Sequence, residues 1–388
     1  VLFVDDERRI LDGLRRMFRA NRSKWDMRFA LSGAEAIEEL TKRPADVVVS
    51  DMRMPGMCGS VLLNRIRVEW PETIRFILSG QTDQAELLED IGCIHQFIQK
   101  PCDPELLEHA IARTRSLASA LESSKLRRVV SGVQSLPIVS QVYTDLVEEL
   151  NSDSSNADSI ARIIEKDIGL STKILQLVNS AFFGMPRKTV SVKDATVLIG
   201  ISNLQQIVTT AQIFDTLGQD KDTHGFVSQI WSRSSDIGAT ARQLAQDSGL
   251  DKEHCDTAYL SGVLSHIGRA ILARTMPQEF TALVETAKDS RSSIRALEIE
   301  QFGIPQESLG AYALGIWGFS DSIVDSVAHQ EVPAMSRVVD QRHPIVWLHL
   351  ARSMNCSGLT TETAALDREW AESLGIEDLE AKTQRSAA

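Results

Sequence analysis

Five polar side chains stand out in the first hundred residues. Asp5 and Asp6 follow VLFV, Asp51 closes DVVVSD, Ser79 follows IRFIL, and Lys100 follows QFIQ. Each sits at the end of a short apolar run. If those runs are strands of one parallel sheet, the five side chains gather at its carboxyl edge, where open α/β folds place their ligand sites. Three carboxylates on one edge repel each other unless a hard cation sits among them, and an oxygen-rich site with few protein ligands suits Mg²⁺. A hydroxyl (Ser79) and an ammonium (Lys100) are the donors that a phosphoryl group on Asp51 would require.

The elements that must position these groups are legible by periodicity. VLFV (1–4), MRFAL (27–31), DVVVS (46–50), IRFIL (74–78) and QFIQ (96–99) read as strands bounded by polar, Gly or Pro residues. Between the first two, Ile10, Leu11, Leu14, Met17 and Phe18 repeat at helical spacing. Five strands alternating with helices imply a doubly wound, flavodoxin-like parallel sheet over residues 1–120.

This half resembles the receiver domain of bacterial two-component response regulators, through VDDE (4–7), SDMRMPGM (50–57), LSG (78–80) and QKP (99–101). The resemblance implies that Asp51 accepts phosphate from a histidine kinase or phosphotransfer protein. It also implies that Asp5, Asp6 and Asp51 hold Mg²⁺ with the backbone carbonyl of Arg53, and that Ser79 and Lys100 contact the phosphoryl group. Phe97 matches the aromatic switch position, and a cis Lys100–Pro101 bond is expected.

Asp103-Pro104 opens a long helical segment with a cap followed by Pro in the first turn. Leu107, Ala110, Thr114, Leu117 and Leu121 recur along it, a seam that packs on the sheet or pairs with a second copy. A helical connector is expected over 121–129. Lys125-Leu126-Arg127-Arg128 reads as a small solvated basic linker.

From about 130 the strand signal gives way to helical spacing. Ile160, Ile163, Ile164, Ile168, Ile174, Leu175 and Val178 recur at helical intervals, with a break expected around Gly169. SVKDATVLIG (191–200) reads as a helix closed by glycine. The region 130–335 resembles the HDOD family, output domains related to HD-type metal phosphohydrolases, through LPIV (136–139), IIEKDIGLSTKILQLVNSAFFG (163–184), DATVLIGISNLQQIV (194–208) and GVLSHIG (262–268). An all-α HD-like domain is implied.

Its metal chemistry reads as lost. Where HD hydrolases carry a first His, this chain has WSRSS (231–235), offering Arg233 and Ser234; where they carry a His-Asp doublet, it has Ser265-His266. A catalytic metal needs about three protein ligands, and a nearby Arg opposes a cation. His266 is therefore expected as a packed, hydrogen-bonded histidine beside the stripe Leu260, Val263, Leu264, Ile267 and Ile271 of one helix. HD-GYP cyclic dinucleotide phosphodiesterases are the alternative. AHQEVP (328–333), with His329, is similar to their second motif, but Gln330 stands where a second His is wanted.

Composition narrows the remaining classes. A net charge of −12 argues against nucleic acid as the main partner. No long apolar run predicts membrane insertion. Five cysteines without a CxxC pair fit reduced thiols in the cytoplasm. Residues 336–388 are expected as a helical extension with a frayed tail. The reading is a non-enzymatic response regulator. A Mg²⁺-dependent receiver switches an HDOD output that needs no cofactor and acts on a downstream protein.

Overall fold

The computed structural model describes residues 1–80, 93–120, 124–132, 140–152, 155–179, 189–201, 204, 221–290, 292–336, 338, 340–355, 366–374 and 376. The first half is a parallel sheet of β1 (Leu2–Val4), β2 (Arg28–Ala30), β3 (Val47–Asp51), β4 (Ile74–Ser79) and β5 (Gln96–Gln99) in the order β2-β1-β3-β4-β5. All four pairings are parallel. Val47, Val48 and Val49 are buried, as in a strand covered on both faces. Helices α1 (Arg8–Met17), α2 (Gly33–Lys42) and α3 (Gly59–Glu69) cross over between strands. Helix α1 buries Leu11 and Leu14 and leaves Arg8, Arg9, Arg15, Arg16, Arg19 of the following turn, and Arg22 exposed. That is a concentrated positive face on an acidic chain.

The chain continues through α4 (Pro104–Ala120) and α5 (Ser124–Gly132) into helices α6 (Ser140–Leu150), α7 (Ala157–Ile164), α8 (Ile168–Asn179), α9 (Val192–Ile199) and α10 (Lys221–Asp247). Then come α11 (Lys252–Val263), α12 (Ile267–Thr275), α13 (Pro277–Ser290), α14 (Ile294–Phe302), α15 (Gln306–Ile316), α16 (Asp321–His329), α17 (Pro344–Met354) and α18 (Arg368–Ser373). The architecture is therefore a five-stranded parallel sheet followed by a helical region. One continuous apolar core runs from the sheet into the helices, and a second lies under α10, α11 and α17.

Several local expectations are corrected. The helical interruption near Gly169 falls at 165–167, because Asp167 accepts the amide of Leu170 and caps α8; Gly169 lies inside that helix. The segment 262–272 is two helices rather than one. A side chain on Gly262 would meet Gly238 of α10 at 2.5 Å, and one on Gly268 would collide with the carbonyl of Gln306 in α15. The chain turns over Leu264–His266 to satisfy both close approaches. The basic stretch at 125–128 is no solvated linker: α5 buries Leu126 and Val130, and Arg127 faces Glu72 at 3.9 Å. The α4 seam is used within the chain, since Leu107 and Thr114 are buried and Ala110 packs against the core; Leu121 lies outside the described residues.

A buried polar knot ties the amino end of the sheet to α5. Arg75 of β4 donates to the carbonyls of Cys93 (2.6 Å), Thr73 (2.8 Å) and Ser131 (2.7 Å). His95 accepts the Arg75 amide on Nδ1, so its Nε2 carries the proton toward the Ser131 carbonyl at 3.1 Å. Burial and the neighbouring guanidinium push His95 well below the usual histidine range. The imidazole stays neutral, and the knot is held by one permanent charge solvated by carbonyls.

Candidate functional site

The carboxyl ends of β1, β3 and β5 bring Asp5, Asp51 and Lys100 together. The Lys100 ammonium lies 2.8 Å from Asp5 Oδ2 and 2.5 Å from Asp51 Oδ1, and is 27% exposed. The remaining oxygens are held by the backbone: Asp5 Oδ1 accepts the amide of Glu7, and Asp51 Oδ2 accepts that of Arg53. Burial pushes the Asp51 carboxyl up, against the opposing pull of Lys100. Burial works against the charge on Lys100, yet its bonds to Asp5 and Asp51 leave it raised. Both effects describe one clasp, half withdrawn from water and still open on one side.

The surrounding backbone packs tightly against the end of β3. Helix α3 starts close beneath the end of β3, where the Gly59 amide donates to the Met52 carbonyl at 2.8 Å. Any side chain at Gly59 would collide with the Asp51 carbonyl oxygen. Ser79 is buried at the end of β4, and its carbonyl accepts the Lys100 amide at 2.8 Å. Phe97 is buried in β5 opposite Ile77. The Lys100–Pro101 bond is cis.

Asp6 is exposed at the rim, outside the Lys100 clasp. Among the described residues, no group of three or more His, Cys, Asp or Glu side chains stands close enough to hold a metal ion. The three carboxylates do not form the tight cluster that their strand positions suggest. The donor chemistry still fits Mg²⁺, which binds through one or two carboxylates and retains several waters. Asp5 and Asp51 supply that pair, and both are paired with the Lys100 ammonium.

The degenerate HD positions form a different kind of centre. His266 caps α12 and is buried; Ser234 and Ser265 place their hydroxyls 3.0 and 3.1 Å from its Nδ1. Gln306 and Gln330 both donate through Nε2 to the Ser265 carbonyl, at 3.0 and 2.8 Å. Arg352 donates to Gln330 Oε1 at 2.7 Å and also pairs with Glu331. Arg269 is bound to Glu298 at 2.7 Å in the interior, and Glu298 also accepts the Gln306 amide. Arg233 lies on α10 beside Ser234. His329 is tied instead to Asp325 of its own helix at 3.0 Å, with Ser336 donating to the same carboxylate.

Gln306, Arg352 and Glu298 were invisible to motif reading, because each comes from a different helix and none keeps a diagnostic spacing. The only sequence signal was a polar residue inside a helical apolar pattern.

Comparison with known proteins supplies names for both halves. The HDOD domain model matches residues 136–333, just over half of the chain, and the response regulator receiver domain model matches 1–112. Over 122 residues the chain is 35% identical to the hydrogenase transcriptional regulatory protein HoxA of Cupriavidus necator, covering 31% of this chain and 24% of that protein. Over 122 residues it is 31% identical to sporulation initiation phosphotransferase F of Bacillus subtilis, covering 31% of this chain and 95% of that protein. The chain spans less than half the length of the first curated relatives it matches. A virulence factor of Campylobacter jejuni shares the fold over 70% of this chain and 94% of its own, at 18% identity and a TM-score of 0.50.

Proposed function

Because the chain belongs to the HDOD family and carries a response regulator receiver domain ahead of that module, we propose that it is a phosphorelay regulator whose phosphoacceptor is Asp51. The observation that carries this reading is the Lys100 ammonium shared between Asp5 and Asp51 at the carboxyl edge of a parallel sheet. An oxygen of Asp51 would form the new O–P bond as the donor's N–P bond breaks, with the donor a histidine kinase or phosphotransfer protein. Lys100, already 2.5 Å from Asp51, offers its positive charge to the arriving phosphoryl oxygens.

Receiver domains generally use Mg²⁺ in this reaction. Asp5, Asp6, Asp51 and the Arg53 carbonyl would hold it here, and when bound it offsets negative charge on the phosphoryl group. The phosphoryl group carries about −1.5 to −2 charge in place of the single negative charge of the carboxylate, and brings several acceptor oxygens. Ser79 responds as the hydroxyl donor, and Phe97 changes its packing in β5.

The helical output acts by protein interaction and performs no hydrolysis of its own. Hydroxyls and amides around His266 support this, since they bond to its ring and to the Ser265 carbonyl where a hydrolase needs metal ligands. Its downstream partner is a protein.

The decisive experiment is acetyl phosphate labelling with Mg²⁺. Asp51→Asn should lose all label while keeping the circular dichroism of the parent. Label persisting at another residue rejects the assignment. Elemental analysis after incubation with Mn²⁺ and Zn²⁺ tests the output: a stoichiometric transition metal there, with cyclic dinucleotide hydrolysis, would establish the phosphodiesterase alternative instead.

A further inference from the structure

Helix α15 ends in a turn that satisfies most of its own carbonyls. Gly318 has φ +80, the Phe319 amide donates to Leu314 O at 3.1 Å, and the Gly318 amide donates to Gly315 O at 3.2 Å. This is the Schellman arrangement, and it leaves the carbonyl of the last helical residue, Ile316, without a donor from the turn itself. The missing donor comes from the sheet. Gln96 of β5 donates through Nε2 to Ile316 O at 3.1 Å and to Gly315 O at 3.3 Å.

Two further side chains of the same face grip the turn. Arg113 of α4 donates to Phe319 O at 2.6 Å and pairs with Asp321 at 2.9 Å, and His109, one helical turn away, meets Asp321 at 3.0 Å. Residues 315–321 are thus capped from outside by strand and helix residues of the receiver. Gln96 is the immediate neighbour of the buried Phe97.

The far ends of the same helical hairpin meet at one atom. Gln306 opens α15 and Gln330 closes α16, and both donate to the Ser265 carbonyl, next to His266. Nearly all of α15 is buried, so it moves as a rod rather than bending. Its 11 residues span roughly 16 Å.

We propose that the hairpin α15–α16 is the lever that carries the state of the receiver to the Ser265–His266 centre, with Gln96 as its latch. Resting on the phosphoacceptor reading above, the inference names how that site regulates the output: a shift of β5 on phosphoryl uptake withdraws the Gln96 cap, the 315–321 turn loosens, and the two glutamines release the Ser265 carbonyl.

Hydrogen exchange on the full chain, with and without beryllofluoride and Mg²⁺, tests this. Beryllofluoride should raise exchange about tenfold at 315–321 and at 262–268, the size expected for loss of one net hydrogen bond. Gln96→Ala should reproduce part of that rise without beryllofluoride, and Gln96→Glu, which puts an acceptor against carbonyls, should exceed it. Asp321→Asn, on an exposed side chain, gives a second route should changes at Gln96 compromise folding. The lever is overturned if β4 and β5 respond to beryllofluoride while 262–268 does not, or if either variant loosens 315–321 and leaves 262–268 unchanged. No response anywhere in the sheet would instead overturn the phosphoacceptor reading itself.

Discussion

The rim of the sheet and the surroundings of His266 solve the burial of polar groups in opposite ways. At the rim, one ammonium is shared by two carboxylates and remains 27% exposed. Around His266, hydroxyls, amides and a backbone carbonyl bond to one another in the interior, flanked by the ion pairs Arg269 with Glu298 and Arg352 with Glu331. The first arrangement carries net charge that an incoming group can re-pair. The second is built mainly of neutral groups, and a donor that leaves exposes an acceptor in low dielectric. Charge is therefore adjustable at one centre and structural at the other.

That contrast is most exposed to failure at Arg269. Arg269→Met should cost about 3–5 kcal/mol, since Glu298 would be left as an uncompensated buried carboxylate. Urea unfolding should show the helical region losing stability while acetyl phosphate labelling of the folded fraction persists. Simultaneous loss of both would mean the two centres are not separable.

Lys100→Gln comes next. Asp5 and Asp51 would then face each other with no cation between them, at a cost of about 2–3 kcal/mol near neutral pH, less than for a fully sealed pair. Millimolar Mg²⁺ should restore much of it. Failure of Mg²⁺ to raise the unfolding midpoint of this variant would argue that the carboxylates do not form a cation site.

His266→Ala sharpens the comparison from the other side. Two serine hydroxyls lose their shared partner, at about 1–2 kcal/mol, yet the phosphoryl labelling rate should stay at the parental value. A change in that rate would give His266 a role beyond packing.

The smallest effect belongs to His329. Its hydrogen bond to Asp325 raises it, so its contribution is fully present below the ordinary histidine pKa and fades as pH rises through the raised value. Asp325 is lowered: burial opposes its charge, but His329 and Ser336 outweigh it, so its share is lost only on acidification through that lowered value. The pair is half-exposed and worth under about 1 kcal/mol. Thermal melts between pH 6 and 8.5 should show the parent losing less than about 4 °C that Asp325→Asn does not lose.

The receiver was legible because its chemistry is local. Each functional residue follows its own strand, and parallel strands bring their carboxyl ends together without further information. The order of Asp5, Asp51 and Lys100 along the chain therefore matched their meeting in space, although Asp6 stayed outside the clasp. The helical centre was read only at its motif positions, for the converse reason. Gln306, Arg352 and Glu298 come from different helices, and helical periodicity reports which face is buried rather than which neighbour it meets. The turn at Leu264–His266 was hidden too, since Val263, Leu264 and Ile267 keep helical spacing through it while Gly262 and Gly268 impose the bend by close backbone approach.

The arginines of α1 have a consequence at longer range. With six guanidiniums on and just beyond one exposed helix, and −12 on the chain as a whole, the molecule is an electric dipole. In dilute salt it should rotate that pole toward any negatively charged body before touching it. Near physiological salt, where fields decay over about 8 Å, the same preference should survive only for bodies already almost in contact.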